Sequence, residues 1–121
     1  MKPIGENVYT SLEISKRIET FTLKIYSKLV NFPKAEKFAL CSEIKENLYD
    51  LYQYTSRANY VKSKRLYYAQ EAEAHLATVR FLFKIAKERK YISLGFYREI
   101  DLDLTEISKM LTGYIKSVIS K

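Results

Sequence analysis

Glycine and proline are scarce, with Gly5, Gly95, Gly113, Pro3 and Pro33 the only such residues in a chain of 121. So few breakers, and no alternating apolar runs bounded by turn clusters, exclude a β-rich architecture and favour long helices. Cys41 is the only cysteine, which excludes an internal disulfide and fits a reducing interior where it fills core space. No apolar run reaches the roughly 20 residues of a membrane span. The opening MKPIGENVYTSLE also lacks the apolar stretch of a secretion signal. The expected setting is the cytoplasm, away from any membrane.

Catalytic chemistry is equally thin. His75 is the only histidine, and Glu71, Glu73 and His75 do not reproduce the Glu-x-x-His spacing of carboxylate-bridged metal bundles. Glu71 lies one helical turn before His75, so the two are expected to form a hydrogen-bonded surface pair. Asp101 and Asp103 are expected in the first turns of a fourth helix, where the positive end of the helix dipole accounts for them without a metal. There is no glycine-rich phosphate loop. No catalytic residue, metal or cofactor is expected, and the chain reads as a binding protein rather than an enzyme.

What is present is periodicity. Thr10-Ser11-Leu12-Glu13 spells a capping box ahead of a stripe of Ile14, Ile18, Phe21, Ile25 and Leu29. Pro33 suits the first turn of a second helix, which carries Cys41, Ile44, Leu48, Leu51 and Thr55. A polar break is expected around residues 56–63. A third stripe runs Ala69, Ala72, Leu76, Val79, Phe83 and Ala86, and a fourth Ile100, Leu104, Ile107, Leu111, Tyr114 and Val118. Spacings of three and four throughout predict an all-α fold, an antiparallel up-down-up-down four-helix bundle forming one domain over residues 1–121.

The third helix carries two further signals. With Leu76 and Val79 facing the core, Tyr67, Ala74 and Phe81 fall one heptad apart on the outer side, a candidate oligomer interface. The charge is also concentrated there. The chain carries +7 overall, and residues 59–92 hold Lys62, Lys64, Arg65, Arg80, Lys84, Lys87, Arg89 and Lys90 against Glu71, Glu73 and Glu88. Arg80, Lys84 and Lys87 share a helical face, while Arg57, Lys62, Lys64 and Arg65 interleave with Tyr60, Tyr67 and Tyr68. Cations mixed with aromatic rings can pair with phosphates and stack on unpaired bases. The alternative is a solvated charged face with its tyrosines packed inward. Lys62, Lys64, Arg65, Arg80, Lys84 and Lys87 are the candidate contacts to RNA or DNA.

The segment SKRLYYAQEAEAHLATVRFLFKIA, residues 63–86, resembles the accessory variability determinant proteins of diversity-generating retroelements. The matching positions are Arg65, Leu66, Tyr67, Ala69, Ala72, Leu76, Val79, Arg80, Phe81, Phe83 and Lys84. Residues 31–40, NFPKAEKFAL, are similar instead to the Phe-Pro opening of helix two in proteins encoded by intervening sequences of large-subunit ribosomal RNA genes, which share the fold. Those proteins continue with an Asn-Ile-Ala-Glu-Gly-like motif. This chain has Glu43-Ile44-Lys45-Glu46-Asn47-Leu48 there, which favours the retroelement resemblance. That resemblance implies a homopentameric ring of bundles that binds nucleic acid and a reverse transcriptase and assists error-prone copying of a template RNA. Of the candidate cations, Arg65, Arg80 and Lys84 match the family pattern, whereas Lys62, Lys64 and Lys87 are added from charge alone.

Overall fold

The computed structural model describes residues 9–120, so most of the opening segment read for a secretion signal lies outside the described residues. Four helices follow in order: α1 (Ser11–Leu29), α2 (Leu40–Tyr60), α3 (Arg65–Glu88) and α4 (Leu94–Ile119). Each packs on the next and α4 returns to α1, with no diagonal pairing, which makes an antiparallel up-down-up-down four-helix bundle. Pairing is most extensive between α2 and α3 and least between α1 and α4. No helix among the described residues is long and apolar enough to cross a membrane.

The apolar stripes become the core. Ile14, Ile18, Ile25, Ile44, Leu48, Leu51, Val79, Phe83, Ile100, Leu104, Ile107 and Leu111 are each almost wholly removed from water, and one cluster joins all four helices. Phe21 and Phe83 meet edge to face across it, with ring centroids 6.2 Å apart. Thr55, the polar member of the α2 stripe, satisfies its hydroxyl by donating to the Leu51 carbonyl at 2.8 Å. Cys41 is buried, and burial raises its thiol pKa above the ordinary value.

The ends of α2 depart from expectation in two places. Pro33 does not open α2. It precedes a short 3-10 turn, Lys34–Glu36, and α2 begins at Leu40, leaving Phe38 on the connection almost fully in solvent. The polar run 56–60 does not break the helix, because Ala58 is buried and α2 continues to Tyr60. Thr10 does cap α1, accepting the Glu13 N–H at 3.1 Å, and Ser93 caps α4 in the same way through the Phe96 N–H at 3.0 Å.

Because α4 starts at Leu94, Asp101 and Asp103 lie two turns inside it, beyond the reach of the helix-terminal dipole. Ion pairing across helices accounts for them instead. Asp103, with Glu99, holds Lys24 of α1, and Asp101 holds Arg80 of α3 at 3.0 Å. Burial pulls the Lys24 ammonium pKa down, but hydrogen bonds to Asp103 and Glu99 outweigh it and leave the pKa above its ordinary value.

Candidate nucleic-acid interface

Helix α3 sorts the candidate cations along its axis. At 1.5 Å per residue, Lys64 and Lys84 are about 30 Å apart, so one compact site cannot contain both. Lys62, Lys64 and Arg65 sit at the α2–α3 end of the bundle, where the chain makes a second 3-10 turn, Lys62–Lys64. Lys84 and Lys87 belong to the opposite end, and Arg80 lies two turns from the last residue of α3.

Their surroundings separate them further. The Arg65 guanidinium donates to the carbonyls of Ala58 at 2.7 Å and Asn59 at 3.2 Å, closing the carboxyl end of α2. Arg80 donates to Asp101 and to the Thr105 hydroxyl, each at 3.0 Å, and so ties α3 to α4. Lys87 lies 3.3 Å from Glu88 and over the Tyr97 ring at 4.6 Å. By contrast, Arg57, Lys62, Lys64 and Lys84 are exposed and take part in none of the ion pairs among the described residues. Three of these four gather at the α2–α3 end.

Aromatic rings make up the rest of that end. His75, Tyr54, Tyr68 and Tyr67 form a run down the α2–α3 seam, with successive centroids 5.5, 5.9 and 5.4 Å apart. The Arg57 guanidinium covers two of them, 5.3 Å from Tyr54 and 5.9 Å from Tyr68. Tyr54 and Tyr68 also pack against the core, whereas Tyr67 is 53% and Tyr60 77% exposed. The tyrosines of this end therefore divide: inner rings build the wall, and outer rings face water.

His75 does not pair with Glu71. Its Nδ1 lies 3.0 Å from the Asn47 side-chain oxygen and 4.0 Å from Asp50, both on α2, because its ring stacks on Tyr54 at an interplanar angle of 14°. No group of three or more metal-ligating side chains occurs among the described residues.

Tyr67, Ala74 and Phe81 all lie on the exposed face of α3, Phe81 at 61% exposure. A second apolar surface escaped the sequence reading. Leu23 and Tyr26 of α1 with Tyr49 and Tyr52 of α2 line an open groove of about 330 Å³, and Lys45 stands over the Tyr26 ring at 5.0 Å. Spacings of three from Leu23 to Tyr26 and from Tyr49 to Tyr52, off the core stripes, were its signal in the sequence.

These features define a basic, all-α four-helix bundle that sets Arg57, Lys62 and Lys64, in no ion pair among the described residues, beside exposed tyrosines at one end. The chain belongs to the bAvd-like family, whose model matches residues 12–118 and so covers nearly the whole of all four helices. This agrees with the resemblance carried by α3. No curated protein and no solved structure gave a match.

Proposed function

We propose that this protein is a non-catalytic accessory factor of a diversity-generating retroelement, holding RNA or DNA while a partner reverse transcriptase copies the template RNA mutagenically. Membership of the bAvd-like family over residues 12–118 carries this reading. The α2–α3 end supports the nucleic-acid part, because Arg57, Lys62 and Lys64 there are exposed and form no ion pair among the described residues. Phosphates displace only water and counterions from such groups, whereas Arg80 would first have to give up Asp101. The protein works as a homopentamer in this reading, with Ala74 and Phe81 of the outer α3 strip supplying subunit contacts and Tyr67, in the first turn of α3, left open at the α2–α3 end.

Binding of a labelled polynucleotide, followed by anisotropy across a salt series, tests the proposal. Affinity should fall steeply with salt, and Lys62→Glu with Lys64→Glu should remove most of it at unchanged helicity, since both side chains are exposed. Binding that ignores salt, or survives the double charge reversal, overturns the interface. Co-purification with the reverse transcriptase of the same element tests the partner.

A second reading has its own observation. Phe81 presents an apolar ring to water on a face shared with Tyr67, which fits a bundle that docks a protein and uses its charge only for solubility. Under that reading, purified protein ignores nucleic acid even at low salt.

A further inference from the structure

We infer that the α2–α3 end is built for single-stranded nucleic acid with unpaired bases, Tyr60 and Tyr67 acting as stacking platforms between the phosphate-binding cations. The inference rests on the nucleic-acid reading above and narrows its substrate class.

Three observations carry it. Tyr67 is half exposed yet braced, its ring 5.4 Å from Tyr68, which is in turn fixed by Tyr54 at 5.9 Å and by the Arg57 guanidinium. A braced ring loses little side-chain freedom when a base settles on it, so stacking is not offset by ordering. Tyr60, the last residue of α2, is 77% exposed at the other side of the turn that presents Lys62 and Lys64. The charge of this end is also strongly one-sided. Within two turns of it, Lys16, Arg17, Arg57, Lys62, Lys64, Arg65 and Lys116 face only Glu13 and Glu71 among the described residues.

The choice of single strand over duplex follows from what each can offer these rings. In a duplex every base face is covered by its neighbours, leaving only phosphates and groove edges, and the tyrosines gain nothing. In a single strand the base faces are available, and aromatic stacking adds to phosphate pairing without demanding a sequence. Cations alone would not discriminate in this direction, since a duplex has the denser phosphate charge.

The test compares a labelled oligouridylate of about 15 nucleotides with an RNA duplex of the same length in the same buffer. The single strand should bind at least about 10-fold more tightly, and Tyr60→Leu with Tyr67→Leu should cost it about 10-fold per ring while leaving the duplex nearly unchanged. The chain has no tryptophan, so its emission reports its 11 tyrosines directly. The oligouridylate should quench that emission, and the double variant should quench less. Helicity checks that the variant is folded; should it not be, Tyr67→Leu alone, scored by the same quenching, decides the matter. Equal or tighter duplex binding, or a variant that binds the single strand as the parent does, overturns the stacking inference but leaves nucleic-acid binding standing. Failure of the parent to bind either strand form overturns both.

Discussion

Arg65 shows how a single residue can carry a family pattern and still be occupied with its own fold. Its Nε and Nη2 close the end of α2 through the Ala58 and Asn59 carbonyls, and the Tyr114 hydroxyl donates to the same Ala58 carbonyl at 3.4 Å. Arg65→Ala should therefore cost about 1–2 kcal/mol in urea unfolding, the worth of hydrogen bonds from a charged donor at a half-buried site. Lys62→Ala and Lys64→Ala, with nothing to lose in the fold, should stay within about 0.5 kcal/mol of the parent. Cys41 and Tyr114 add a pH dependence. Burial raises the pKa of both, so the unfolded chain releases these protons first as pH climbs. Their contribution is complete below the ordinary values of 9.0 and 10.0 and is lost as pH rises through the higher folded values. The urea midpoint should consequently fall above about pH 9, and Cys41→Ala should move the onset of that fall upward.

At the scale of elements, α3 ends in a hydrogen-bond pattern that a sequence reading could not anticipate. Tyr91 N–H bonds the Ala86 carbonyl and Lys90 N–H that of Lys87, both at 2.9 Å, with Lys90 at a φ of 62°. This is a Schellman ending with lysine where glycine is usual. Lys90→Gly relieves the left-handed strain and should raise stability by about 0.5–1 kcal/mol in the same unfolding assay. The core stripes were legible because burial and period coincide: of the positions read from spacing, only Val118 is not fully buried. The site was legible only in part. Sequence separates cations by helix face, but which of them are already engaged depends on the neighbouring helix. Arg80 meets Asp101 only because α4 begins at Leu94, and His75 turns to Asn47 only because Tyr54 stacks beneath it. Helix ends were misplaced for a similar reason, since buried Ala58 carries α2 through a stretch whose composition suggests a break.

For the whole molecule, the surplus charge is divided between two ends about 30 Å apart along α3, with most carboxylates at the waist and the α1–α2 end. The α2–α3 end combines excess charge, exposed tyrosine rings and cations that form no ion pair among the described residues; the opposite end carries Lys84, Lys87, Arg89 and Lys90, with Lys87 3.3 Å from Glu88. Assembly through the outer face of α3, proposed above, has its own test. Phe81→Asp should lower the mass in solution if that strip joins subunits, and leave it unchanged if the bundle is a monomer. The choice of the α2–α3 end is tested most directly by amide hydrogen exchange with and without a saturating single-stranded oligonucleotide. Slowed exchange is expected across residues 57–68, with no change at residues 28–38 and 84–98. Protection confined to those latter segments would contradict the account.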